Sequence, residues 1–408
     1  MPSFAELSIF DRIIKLPELK VKDYQFIDGF GLVLAVKSIE KKATCPRCGQ
    51  TSDRLHQNHE RLVRDLPHAE HDVYLKVNRR QLKCSHCKKP FSEEFNCIRK
   101  TRNYTERLAE KVITEVIESD IKNVAQRNGL SEKEVETILK EKFSDLETEH
   151  PQGLKKLGID EIAWVKGQKN YCAVLVNLET RKPIKILEKR TKECLRKCFD
   201  SWGIEVLEEI EEVSIDLWSA YKNLVEELMP NAEVVADRFH VMKLVNEELD
   251  TERKAVKKRG EKLKNKAERK TVLEGIKNSK YCLLKNKEDL DIGQKQKLKE
   301  IKKIAPKLIK MYGLKEKLRR IFESKKPENI AILKLTHWLK KAATYFPDSC
   351  GTIIRWFGEI IAYFKNRTTQ GVVEGINNKL KLIKRKGFGF RNFDNFRLRS
   401  LLSFQFKT

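Results

Sequence analysis

Residues 211–240, EEVSIDLWSAYKNLVEELMPNAEVVADRFH, read as strand, helix, strand, and this unit decides the fold. EEVSID (211–216) and AEVVAD (232–237) are short apolar runs, and SAYKNLVEELMP between them is a helix. Working outward, IDEIAWV (159–165), YCAVLVNL (171–178) and KPIKILE (182–188) are three more strands. Turn residues separate them at Lys166–Asn170 and Glu179–Lys182, and TKECLRKCFDSWG (191–203) is a helix. The order is three strands, helix, strand, helix, strand.

That order is the one a ribonuclease-H-like mixed sheet has. It places Asp160 in the first strand and Asp216 at the end of the fourth, its expected neighbour. A third carboxylate comes from beyond the fifth strand, in TTQGVVEGINNKLKLIKRKGFGF (368–390). There Val373, Ile376, Leu380 and Ile383 recur at i, i+3, i+7 and i+10, which predicts a helix with one buried stripe. Glu374, Asn378 and Lys381 lie on the adjoining face and offer a carboxylate, an amide and an ammonium. Three carboxylates that converge from distant stretches suit Mg2+ or Mn2+, the ions that support cutting and rejoining of phosphodiesters. Each acid also has an ordinary reading. Asp216 can cap the helix that follows it. Glu161 competes with Asp160, although period 2 sends the two to opposite faces. Glu374 can be a solvated helical glutamate.

A chain of 408 residues exceeds one ordinary core, so several domains are expected. The formal charge is +25, which points to a polyanionic partner. Residues 251–320 carry 25 Lys/Arg against 9 Asp/Glu, and 366–408 carry 10 against 2. The basic Lys384, Arg385 and Lys386 fall in the second cluster. No apolar run is long enough for a bilayer and the N-terminus has no signal-peptide pattern, so the expectation is a cytoplasmic, nucleoid-associated protein with no membrane contact.

Four of the ten cysteines form two C-x-x-C pairs, Cys45/Cys48 and Cys84/Cys87. Two such knuckles predict one structural Zn2+ in a zinc ribbon. DVYLKVNRRQLKC (72–84) and GLVLAVKSIE (31–40) are its strands. His68-Ala69-Glu70 before Cys84-x-x-Cys87 has the outline of a zinc-deaminase signature, but Lys83 replaces the proline and Cys45/Cys48 would have no role. Next, TERLAEKVITEVIESD and a second helix opened by Ser131 and Glu134, with Gly129 in the turn between, predict a helix-turn-helix. Its second helix carries Glu132, Glu134, Glu136 and Glu141, which repel phosphate, so Lys133, Thr137 and Lys140 are the residues left to touch DNA.

The segments GIDEIAWVKG, VSIDLWSAYKNLVEELMPNAEVVADRFHVMKLVN and RTTQGVVEGINNKLKLIKRKGFGFRNFDNFRLRSLL together resemble bacterial insertion-sequence transposases of the ISL3 family, over nearly the full length. The resemblance implies a DDE triad of Asp160, Asp216 and Glu374, with Asp237 and His240 matching a D-x-x-H signature of supporting residues. It implies cleavage of double-stranded DNA at terminal inverted repeats, joining of the 3′-OH ends to target DNA, and work as a homodimer or higher oligomer. The expected fold is multidomain α/β. A zinc ribbon (1–98) and a helix-turn-helix (99–150) precede a ribonuclease-H-like catalytic domain (151–240 and 366–408), which is interrupted by a basic helical insertion (241–365). The alternative from a different class is a DNA-binding regulator whose sheet domain is inactive.

Overall fold

The computed structural model describes residues 2–98, 101–147, 150–165, 170–368 and 371–406. The predicted turn at Lys166–Asn170 lies outside them except for its last residue. Contacts divide the chain into two units, 1–148 with 382–408, and 149–381.

In the first unit α1 (Phe4–Ile14) precedes β1 (Leu19–Ile27), β2 (Gly31–Ser38), the short β3 (Ala43–Thr44) and β4 (Thr51–Ser52), the long hairpin β5 (Leu55–His68) and β6 (His71–Lys83), and β7 (Pro90–Ser92). The main sheet runs β1-β2-β6-β5, with β7 paired to β6, and β3 and β4 pair separately. Alternation explains the sheet: Leu32, Leu34 and Val36 of β2, with Val73, Leu75 and Val77 of β6, bury on one face. The stretch between the knuckles therefore becomes a hairpin that joins this sheet. Three helices follow, α2 (Glu106–Glu118), α3 (Ile121–Asn128) and α4 (Glu132–Glu147). Gly129 closes α3 in the left-handed conformation, and Ser131 and Glu134 form the expected capping box.

The second unit is built on β8 (Lys156–Ala163), β9 (Tyr171–Asn177), β10 (Lys182–Leu187), β11 (Glu212–Ile215) and β12 (Glu233–Ala236), in the order β10-β9-β8-β11-β12. The first three are antiparallel, while β11 pairs parallel with both β8 and β12. All four residues of β11 are buried, as in a strand covered on both faces. Pro183, which cannot donate to a ladder, sits on the edge strand β10. Crossovers run through α5 (Lys192–Trp202), α6 (Ile204–Glu208) and α7 (Ser219–Leu228).

Eight helices follow β12: α8 (Arg238–Glu261), α9 (Lys266–Ile276), α10 (Ser279–Leu284), α11 (Ile292–Ile304), α12 (Pro306–Glu323), α13 (Glu328–Ala342), α14 (Pro347–Arg355) and α15 (Phe357–Asn366). Val241, Val245 and Leu249 of α8 belong to the same buried cluster as the sheet, so these helices extend the core of the sheet rather than forming a second one. Trp338 is buried and donates its indole N–H to the Leu314 carbonyl at 2.8 Å, which makes it a core residue. The buried Lys315 ammonium donates to the carbonyls of Leu283, Leu284 and Lys285, satisfying the end of α10.

Then come α16 (Gly371–Lys386) and α17 (Phe393–Gln405). Helix α17 packs on α2 and α4, and by contact 382–408 group with the first unit.

Candidate active site and zinc centre

Helix α16 carries Glu374 and is seated on β8 at a glycine. A Cβ at Gly158 would lie 2.9 Å from Leu178 Cδ2 and 3.0 Å from Val373 Cγ2. Four residues along the helix from Val373, Asn377 donates from Nδ2 to Asp160 Oδ2 at 2.8 Å. The two advances agree, because two strand residues span ~6.6 Å and four helical residues ~6 Å. Gly158→Ala is accordingly expected to destabilise the protein by about 1–3 kcal/mol through overpacking. Adding Val373→Ala should restore part of the loss in thermal unfolding. An unchanged melting temperature for the single variant would refute this seating.

Asp160 Oδ1 accepts the Glu161 N–H at 2.7 Å. Burial raises the Asp160 pKa, and the carboxylates of Asp237 and Glu161 add to the rise while the Glu161 N–H and His240 oppose it. Asp216 ends β11. It does not cap α7, whose N-cap is Trp218 with no side-chain capping bond. Instead Asp216 Oδ1 is buried without a hydrogen-bond partner among the described residues. Burial first, then the charges of Glu161 and Asp160, push Asp216 up to about 6 against the pull of His240 and Arg190.

That shift has a sign that can be measured. The folded pKa lies above the unfolded one, so the protonated form stabilises the fold at low pH, and this contribution is lost as pH rises through about 6. Asp216→Asn should therefore raise stability at pH 7 in EDTA by about 1–2 kcal/mol, with the gain vanishing near pH 4. Thermal unfolding at the two pH values checks this, and a variant less stable than the parent at pH 7 would contradict it.

Asp160, Glu161, Asp237, His240 and Glu374 line one cavity of about 950 Å³. Lys381 also lines it, and α8, α10 and α12 contribute Lys243, Lys280 and Arg319 to its walls. His240 Nδ1 lies 3.1 Å from Asp237 Oδ2. Burial disfavours the imidazolium, but the bond to Asp237 and the carboxylates of Asp237, Asp160 and Asp216 outweigh it, so the His240 pKa is raised. Asp216 is not among the described lining residues. The three acids do not form a tight ligand cluster like that of the cysteines described below. Their donor set still fits a hard divalent ion: all three supply carboxylate oxygens, and a buried carboxylate oxygen with no donor is a ligand lacking a partner.

The zinc expectation is met in geometry. Cys45, Cys48, Cys84 and Cys87 bring four sulfurs within 4.8 Å of one another. Cys45–Cys87 and Cys48–Cys84 are 3.8 and 3.5 Å apart. A tetrahedron with Zn–S of ~2.3 Å has edges of ~3.8 Å, whereas a disulfide would need ~2.05 Å. Backbone N–H groups of Cys87 and His86 lower the Cys84 thiol to about 6 despite burial, while burial and the adjacent cysteine sulfurs push Cys48 up to about 11, so without a cation the four sulfurs do not share a common thiolate state. No histidine joins this cluster, which removes the deaminase reading.

On α4, Lys133 and Lys140 are exposed, while the Thr137 hydroxyl donates to the Lys133 carbonyl of its own helix. The acids beside them are mostly engaged: Glu134 in the capping box, Glu136 with Asn395, and Glu141 with Arg102. Lys386 pairs with Glu118, and Arg385 is exposed.

Three family models match the chain. The DDE transposase of the ISL3 family matches residues 157–400, the zinc-finger of transposases IS204/IS1001/IS1096/IS1165 matches 41–87, and the helix-turn-helix domain of transposase family ISL3 matches 93–141. The chain belongs to the ISL3 family of transposases. It is 28% identical over 381 residues to the transposase for insertion sequence element IS1001 of Bordetella parapertussis, covering 92% of both chains. It is 32% identical over 256 residues to the transposase for IS1557 of Mycobacterium tuberculosis, covering 59% of this chain and 57% of that one.

Within this ISL3 member, sequence reasoning chose Asn378 on α16, but Asn378 is exposed and it is the buried Asn377 that reaches Asp160. A signal for it existed. Asn377 lies between Val373 and Leu380 on the apolar stripe, and a polar residue there needs a partner on the sheet. Also missed was the set around Glu161, which accepts from Tyr221 at 3.0 Å and pairs with Arg190. The Arg190 guanidinium lies 4.8 Å from the Tyr171 ring centroid and 5.1 Å from that of Trp218. Glu161 thus turns to α7 while Asp160 turns to α16, in keeping with period 2, yet both border the cavity.

Proposed function

We propose that the chain is a DDE transposase that cleaves double-stranded DNA at the terminal inverted repeats of its insertion sequence and joins the freed 3′-OH ends to target DNA. The observation that carries this reading is the shared cavity of Asp160 and Glu374, with the partnerless Asp216 oxygen at the end of the neighbouring strand. The sheet order, antiparallel through β10, β9 and β8 and parallel through β11 and β12, supports a ribonuclease-H-like catalytic domain. The family models and the IS1001 relative support the domain sequence of zinc ribbon, helix-turn-helix and catalytic domain.

Asp160, Asp216 and Glu374 would hold magnesium or manganese. When bound, such an ion supplies Lewis acidity toward the scissile phosphate and its attacking and leaving oxygens. Asn377 and the Glu161 N–H fix the Asp160 carboxylate. Asp237 holds the His240 ring, and His240 when protonated would offset the charge of Asp160 and Asp216. Lys381 lies two turns along α16 on the same face as Glu374, where it serves as a phosphate contact. The four cysteines hold zinc as a structural ion, and Lys133, Lys140 and Arg385 are contacts for DNA phosphates. The described helices include none long and apolar enough to cross a membrane.

The test is incubation of the full chain with the DNA flanking its coding sequence, with and without Mg2+. Mg2+-dependent 3′-OH ends and strand-transfer products are expected. Binding without cutting would favour the regulator reading, and cutting without joining would reduce the activity to that of a nuclease.

A further inference from the structure

The cavity contains one feature the carboxylate chemistry does not use. Phe239 lines it and is 52% exposed, whereas the other large apolar lining residues, Met242, Leu284 and Phe322, are wholly or partly buried. The core side of α8 begins two residues later at Val241, so Phe239 adds nothing to the fold's buried cluster. Its direction is set by tethered neighbours. His240 is bonded to Asp237, and the Arg238 guanidinium lies 6.0 Å from the Tyr363 ring centroid. The Phe239 and His240 ring planes stand at 88° with centroids 5.6 Å apart, so that contact takes up at most one of the two phenyl faces.

The surroundings are polar. Asp160 and Glu374 lie in the same cavity, as do the exposed Lys243 and Lys280. A water-facing phenyl forgoes the gain from burial, and in a cavity of ions it has few uses except contact with a flat apolar face. A nucleobase offers such a face on a phosphate-bearing chain. In a paired duplex both faces of an internal base are already stacked, so the ring can receive only a terminal or displaced base.

Building on the DNA-cleavage reading above, we propose that Phe239 is a stacking platform for an unpaired nucleobase adjacent to the phosphate on which Asp160, Asp216 and Glu374 act. Stacking of this kind is tolerant of base identity, because every base has a π face. The subsite would hold a strand end in place after cutting without reading its sequence.

The experiment measures binding in EDTA, so that no cutting occurs. The probes are a duplex taken from the DNA flanking the coding sequence and the same duplex with a four-nucleotide single-stranded 3′ extension. Wild-type full-length protein is expected to bind the extended probe more tightly. Phe239→Ala should lose about tenfold in affinity for the extended probe and almost nothing for the blunt one. Phe239→Trp should keep the preference, which excludes misfolding as the cause. The proposal is overturned if wild type shows no preference for the extension, or if Phe239→Ala weakens both probes equally or neither. Because the readout needs no chemistry, a Phe239-dependent preference in a protein that never cuts DNA would sink the cleavage reading and leave this subsite standing.

Discussion

Asp160→Asn and Glu374→Gln should each reduce Mg2+-dependent cleavage of the element ends by roughly a thousandfold or more, with DNA affinity changed less than about threefold. The two substitutions keep shape and remove charge, so they test the carboxylates rather than the packing. Asp160 is the stricter case. Its Oδ2 accepts from Asn377 and its Oδ1 from the Glu161 N–H, so an amide at 160 also meets a donor it cannot satisfy. Glu374 is exposed on α16, and its replacement should leave the melting temperature where it is. DNA binding is expected to survive in both, because its assigned contacts lie on other residues, Lys133 and Lys140 among them. Electrophoretic shift and single-turnover cleavage on the same DNA separate the two effects. A Glu374→Gln protein that cuts at the parent rate would remove this residue from the site.

The second large effect concerns the knuckles. One zinc per chain is expected, lost in Cys84→Ser and on chelation. The buried cluster at the knuckles comprises only Cys45, Leu82, Cys84 and Phe91, too small to hold two loops by apolar burial. Structural zinc supplies about 10–16 kcal/mol of apparent binding free energy in small modules, so its loss should open the two knuckles, around Cys45–Cys48 and Cys84–Cys87. Hydrogen exchange would read this as lost protection at β3, β4 and β7, while β8–β12 keep theirs. The β5–β6 hairpin has support of its own, since Val63, Val73, Leu75 and Val77 sit in a separate core. Unchanged zinc content in Cys84→Ser would contradict the four-cysteine assignment.

Much of this fold was legible because its signals were local. Strand–helix–strand alternation from 156 to 236, the apolar stripe of α16 and the C-x-x-C pairs all follow from period and spacing. What escaped notice depended on which side chains meet. Nothing in the local pattern of β8 shows that Glu161 pairs with Tyr221 from α7 and Arg190 from the turn before α5. Nor could spacing show that Glu134, Glu136 and Glu141 of α4 find partners, which changes the electrostatics of its lysines. The inserted helices carried a readable basic composition, but composition is silent about their core. The sharing of that core with the sheet through Val241 and Val245 is a tertiary fact. The same holds for α17, which packs on α2 and α4 although it follows α16 in the chain.

Asp160, Asp216 and Glu374 are expected to act together on one divalent ion or an adjacent pair. Crystals of the full chain bound to its end DNA and grown with Mn2+ would test it by anomalous diffraction at the manganese edge. Manganese is expected at roughly 2.0–2.2 Å from carboxylate oxygens of all three residues. Manganese bound elsewhere, or a cleavage-competent complex in which Asp216 Oδ1 stays turned away from the ion, would contradict it.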